Sequence, residues 1–202
     1  MALQPRGRAA KIAFVMGAEN TGWLPLDAAS APSLQAFFEA NPEYWRVVME
    51  SAVPADAARQ VFDDRPPAEW RWDRMWIMGA HQDFGALVAM ASIIEGLFDP
   101  SIWHVGLFIV AGRLHGTGAS GALYASLEEW MRGRGAQWIR LGVVVGNTPA
   151  ERFWEKAGFI EVRRRYGIEV EGLVRDLRVM VKPLAGGKPG DYLRMVERDR
   201  PE

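Results

Sequence analysis

Residues 103–131 read WHVGLFIVAGRLHGTGASGALYASLEEWM, and this stretch decides the fold. Its first part, from Val105 to Ala111, is apolar throughout, which suits a strand covered on both faces. A short basic loop follows, Arg113-Leu114-His115-Gly116-Thr117-Gly118. Beyond it Ala119, Ala122, Leu123, Ser126, Leu127, Trp130 and Met131 recur at three- and four-residue spacing, with Glu128 and Glu129 on the outer side. That is the pattern of a helix facing a core.

The loop has a legible chemistry. Glycines at 116 and 118 allow backbone to approach a ligand. The first turn of a helix leaves amide N–H groups unsatisfied and carries partial positive charge, which suits phosphate. Arg113 and His115 add basic side chains beside it. A tight strand-to-helix turn with no ligand is the plainer reading of the same residues. Gly116 to Gly121 also spells G-x-G-x-x-G, the dinucleotide fingerprint. Against it, the region 20 or so positions on holds Ile139, Arg140 and Leu141 rather than an acidic residue. The segments before the loop also read as consecutive strands, so no βαβ unit opens here.

A second motif lies downstream, from Asn147 through Ala150, Phe153, Trp154 and Lys156 to Gly158-Phe159. Together with Arg113-x-x-Gly116-x-Gly118-Ala119 it resembles the two signature motifs of the GNAT superfamily of acetyl-CoA-dependent N-acetyltransferases, in the right order and at a suitable spacing. The resemblance covers roughly residues 72–182. It implies a mixed α/β fold, with a mostly antiparallel sheet of six to seven strands flanked by helices and a splayed strand pair that holds the cofactor. It further implies that the backbone of Leu107, Phe108, Ile109 and Val110 pairs with pantetheine. Arg113, Leu114, His115, Gly116, Thr117, Gly118, Ala119 and Ser120 would hold the pyrophosphate. Asn147 would bond the pantetheine amides, Phe153 would pack near the cofactor arm, and Lys156 would approach the adenosine phosphates or stand solvated on its helix. The usual tyrosine acid of the second motif is Trp154 here; an indole N–H donates only, and Trp154 would instead pack against the cofactor arm.

Acetyl transfer needs a neutral amine, and a lysine-like amine of pKa about 10.4 must first lose a proton. His104, at the start of the cofactor strand, is the candidate base, and Glu95 at the end of the preceding strand is the second. Each is also read as a plain structural group. The expected reaction is transfer of acetyl from acetyl-CoA to a small-molecule amine. An acetyl-CoA-binding sensor and an acetyltransferase for protein lysines or N-termini are the alternatives.

Composition bounds the rest. The 202 residues are enough for one domain with a real core. A formal net charge of −1 gives no electrostatic reason to expect nucleic acid. The absence of cysteine excludes disulfides and thiolate chemistry. The three histidines, 81, 104 and 115, lack metal-ligand spacing, so no metal is expected. No apolar run is long enough to span a bilayer, and the N-terminal apolar patch is too brief for a signal peptide, so a cytoplasmic location is expected. Exposed aromatic surface could support a homodimer.

Along the chain, residues 1–10 read as a flexible tail and 11–183 as one domain, with a first strand at 11–16. Helical pieces over 27–62 form the acceptor side, as the resemblance implies, and 103–159 form the cofactor-binding core. Strands are expected near 74–80, 84–95, 102–111 and 137–146, and a closing hairpin at 160–170 and 173–181. Residues 184–202 read as a loose tail.

Overall fold

The computed structural model describes residues 22–82, 85–170 and 172–201. The tail at 1–10 and the strand expected at 11–16 lie outside the described residues. Among the described residues seven strands form one sheet in the order β1-β2-β3-β4-β5-β7-β6. They are β1 (Trp23–Pro25), β2 (Arg74–His81), β3 (Leu87–Glu95), β4 (Ile102–Val110), β5 (Trp138–Val144), β6 (Ile160–Val170) and β7 (Leu173–Pro183). Every neighbouring pair is antiparallel except β4 and β5. The mixed, mostly antiparallel sheet matches the fold expected from the sequence.

Helices α3 (Ala119–Arg132) and α4 (Thr148–Lys156) cover one face. Their apolar stripe, with Leu123, Leu127 and Met131, packs on Trp103, Val105, Ile139 and Leu141. The opposite face carries α1 (Ala31–Ala40) and α2 (Ala57–Asp63), joined by a short π-helical turn at Trp45–Met49. Leu34, Phe37, Phe38 and Trp45 pack there against Ile77, Met90 and Ile109. The two tryptophans Trp23 and Trp103 show what the sequence's aromatic richness does: Trp23 Nε1 donates to Leu123 O at 3.1 Å and pins the edge strand to α3, while Trp103 is buried at 1% exposure.

Residues 184–202 are not a loose tail. Pro189–Met195 form α5 and Glu197–Asp199 a 3-10 turn, both laid against the sheet. Tyr192 is fully buried, packing with Ile102, Trp138, Val179 and Val181. The polar, glycine-bearing composition hid this, because two or three apolar anchors suffice to fix a seven-residue helix on an existing surface, and too short a stripe shows no periodicity.

Candidate functional site

The site begins with a bulge. On β3 and β4, Ser92 stands opposite Leu107 but Ile93 stands opposite Val105, so Gly106 is the extra residue. A bulge shifts the side-chain alternation by one. Trp103 and Val105 point to the α3 face before it, and Phe108 does so after it; Leu107 and Ile109 turn to the α1 face.

At the same level the two parallel strands part. Pairing of β4 with β5 runs from Ile102–Trp138 to Val105–Leu141 and stops. The next residue on each strand is glycine, Gly106 and Gly142, and both are exposed in the middle of a seven-stranded sheet. A Cβ at Gly142 would meet nothing within 4 Å. Past the fork, Leu107 to Val110 still pair with β3 on one edge while the other edge has no strand partner. An extended chain inserted there would meet free backbone donors and acceptors.

The loop above the fork is built for an anion. Gly116 and Gly118 have φ of 74° and 90°, which L side chains resist. Thr117 Oγ1 accepts from the amide of Ala119 at 3.3 Å and donates to Leu114 O at 2.7 Å, closing the turn. The amides of Gly116, Gly118 and Ser120 have no partner among the described residues, and they sit at the start of a 14-residue helix. Arg113 is exposed beside them, with only the neutral Gln82 Oε1 at 3.3 Å. His115 is exposed, but its ring is tied to the end of β4. Its Nε2 lies 3.0 Å from Val110 O and must donate to that carbonyl.

On α4, Asn147 caps the helix, its Oδ1 accepting from Ala150 N at 3.4 Å. That leaves its side-chain amide donor for another partner. Phe153 stacks on Phe108 at 5.8 Å between ring centroids, and Trp154 is buried against Tyr124 at 5.1 Å. These rings form the wall of the fork on the α3 side. Lys156 is exposed in the last turn.

The two candidate bases are both committed elsewhere. Glu95 points to the α3 face, where its carboxylate accepts from Trp76 Nε1 at 2.8 Å. His104 lies on the other face before the bulge, with Nδ1 3.3 Å from Arg140 Nη1. Burial first and the Arg140 charge second push its pKa down to about 3. Arg140 in turn holds the fully buried Asp199, which also accepts from Tyr192 Oη at 2.6 Å. Sequence reading missed Gly142, Arg140 and Asp199. A glycine inside a strand pattern is a signal of close backbone approach and could have found the first.

No helix among the described residues is long and apolar enough to cross a membrane, and no cluster of metal-ligating side chains occurs among them.

A parallel fork with an open backbone edge thus lies beneath a glycine loop that starts a helix. Residues 34–159 match the acetyltransferase (GNAT) family, and the chain belongs to that family. That makes it an N-acetyltransferase by family, with acetyl-CoA as the family's acyl donor. Its fold is shared with the ribosomal-protein-S18-alanine N-acetyltransferase of Escherichia coli, at 16% identity and a TM-score of 0.60, over 83% of this chain and 96% of that one. It is likewise similar to the spermidine N-acetyltransferase of Vibrio cholerae solved with CoA and spermine, at 15% identity and a TM-score of 0.60, over 81% and 95%. Arabidopsis thaliana NAA60 in complex with acetyl-CoA aligns at 16% identity and a TM-score of 0.57, over 83% and 100%. No curated protein sequence matches this chain.

Proposed function

We propose that this chain transfers the acetyl group of acetyl-CoA to the primary amine of a small molecule by direct attack on the thioester. The observation that carries the reading is the pair of exposed glycines, Gly106 and Gly142, at the point where β4 and β5 part. Acetyl-CoA supplies the activated acyl group. The free edge of Leu107 to Val110 would hold its arm, and the open amides of Gly116, Gly118 and Ser120, with Arg113, its pyrophosphate. The backbone N–H that the bulge releases at Gly106 is the donor for the thioester oxygen.

In the step itself a C–N bond forms and the C–S bond breaks. The amine gives up a proton and the departing thiolate gains one. His104, neutral and already accepting from Arg140, is a poor proton acceptor, and Glu95 is on the other side of the sheet. We assign the proton to water in the open groove above the fork rather than to either side chain.

A small acceptor is supported by a strap over the groove. Arg175, on β7, pairs with Glu50 at 2.8 Å and donates to Val48 O at 3.2 Å, tying the β6–β7 hairpin to the turn after α1. One observation favours a second reading, a binding module without efficient turnover: the buried Trp154 stands where the family places its tyrosine acid.

Thermal unfolding with and without acetyl-CoA tests the site. Acetyl-CoA at 100 times its dissociation constant adds about 2.7 kcal/mol to the folded state. Gly142→Val should fold normally, since its side chain meets open space, yet lose the acetyl-CoA shift. An unchanged shift in that variant sinks the fork assignment. Turnover of no amine in a broad panel, with binding intact, would favour the sensor.

A further inference from the structure

A second concave site lies on the sheet face opposite α3, beside the fork. It is lined by Trp70, Phe98 and four arginines, Arg71, Arg163, Arg165 and Arg198, with Glu69 at its rim. The register places it. Arg163 on β6 stands opposite Val179 on β7, which stands opposite Gly142 on β5. Two strand spacings, about 10 Å, separate the arginine's backbone from the fork. Arg140 is two residues before Gly142 on the same face, and Arg165 reaches the same carboxylate, Asp199, at 3.3 Å. The arginines and the open side of the fork therefore share one surface, and no side chain at 142 stands between them.

Asp199 is saturated: it accepts from Arg140 at 2.7 and 3.1 Å, from Arg165 and from Tyr192. Arg71 is held by Asp73 at 3.2 Å. The guanidinium of Arg198 lies 3.9 Å over the Trp70 ring and 5.0 Å from that of Phe98, with no carboxylate in contact. The Nε atoms of Arg165 and Arg198 are both buried without a partner. Burial first, and then the neighbouring Arg165 and Arg140 charges, push the pKa of Arg198 down, outweighing the opposing Asp199 and Glu69.

We propose that this pocket is the acceptor subsite, and that the acceptor is an amine carrying an anionic group, a carboxylate or a phosphate, at the end away from its reacting nitrogen. The inference rests on the acetyl-transfer reading and narrows it. Arg198 and Arg165 bind the anion by charge-assisted hydrogen bonds. Trp70 and Phe98, 5.1 Å apart, flank the linking methylenes. The amine end then extends over Gly142 to the fork. A polyamine is refused, because its second ammonium would face Arg198.

Calorimetric titration of the full chain tests this, with CoA present at saturation so that the glycine loop is filled. Four probes of similar length suffice: 4-aminobutanoate, 3-aminopropyl phosphate, the neutral 4-aminobutanamide and 1,4-diaminobutane. The anionic pair should bind about tenfold or more tightly than the amide, with the diamine weakest, and added salt should narrow the gap. The better of the two anions names the group. Arg198→Ala should remove about tenfold of the anion's affinity, and Arg198→Lys should restore part of it. An amide or diamine that binds as well as both anions overturns the proposal, as does anion affinity unmoved by Arg198→Ala. Acetyl-CoA affinity, measured on the same preparations, separates the two readings. If it is intact with no anion preference, only the subsite falls. If it is absent while the preference persists, the transfer reading falls.

Discussion

Arg140 and Asp199, 59 residues apart, meet in a two-point ion pair, Nε to Oδ2 at 2.7 Å and Nη2 to Oδ1 at 3.1 Å, with the carboxylate fully buried. This contact ties the last turn of the described chain to the central parallel strand. Asp199→Asn leaves Arg140 buried with its charge uncompensated. The expected loss is about 3–5 kcal/mol, read as a lower urea midpoint. A loss under about 1 kcal/mol would mean that water reaches the pair.

Acid should weaken the fold through His104 and Asp199 together. His104 stays neutral in the folded state down to about pH 3, whereas the unfolded chain protonates near 6.5. Below 6.5 the unfolded state therefore binds the extra proton, and stability falls as pH drops through that window. For Asp199, burial raises the pKa, but the Arg140 hydrogen bonds and charge outweigh it and hold the carboxyl below 3.8. Its contribution is likewise lost on acidification, at lower pH. Melting temperature should decline from pH 7 to 4, and His104→Asn should flatten the decline. An unaltered slope in that variant would remove His104 from the account.

The same variant tests catalysis. A general base contributes about 10²–10⁴ in rate, so His104→Asn should keep turnover within about threefold if water takes the proton. A drop of about a hundredfold, with acetyl-CoA affinity unchanged, would return the base role to His104.

Arg113 is exposed and faces no carboxylate among its contacts, so its replacement should leave folding alone. Arg113→Glu places a negative charge beside the open amides of the glycine loop. Acetyl-CoA affinity should fall about tenfold or more, with the melting temperature of the free protein unmoved. Retained affinity would disqualify the loop as the pyrophosphate site.

Two glycines should respond in opposite ways. At Gly96, φ is 71° and a Cβ would lie 2.0 Å from Asp73 Oδ2, so Gly96→Ala should cost about 1–3 kcal/mol in chemical denaturation. At Gly142 the space is open, and alanine should cost under about 1 kcal/mol. The contrast separates a glycine that the fold requires from one that the fork leaves open.

Much of the chain was legible because local patterns and tertiary demands agree. The apolar run at 105–111, the glycine loop and the stripe from Ala119 to Met131 became β4, the anion-ready turn and α3. Thr148-Pro149-Ala150-Glu151 spells a capping box, and α4 does start there, though its cap is Asn147, one residue earlier. The two candidate bases were less legible. Type and position along a strand suggested His104 and Glu95, but the pleat puts Glu95 under Trp76 on the α3 face. Burial, and then Arg140, a neighbour through the sheet rather than along the chain, keep His104 neutral.

What the sequence by itself determined is the order of elements from β2 to β7, the starts of α3 and α4, and the family. Those rest on short-range chemistry: periodic apolar faces, caps, and glycines that tolerate positive φ. Only the tertiary structure decided that Gly106 and Gly142 face each other where the strands part, that residues 189–199 fold back onto the sheet, and that Arg163, Arg165 and Arg198 converge beside Trp70. Strand register, a bulge that shifts side-chain facing by one, and pairings across tens of residues set those relations. None of these leaves a mark within a window of neighbouring residues.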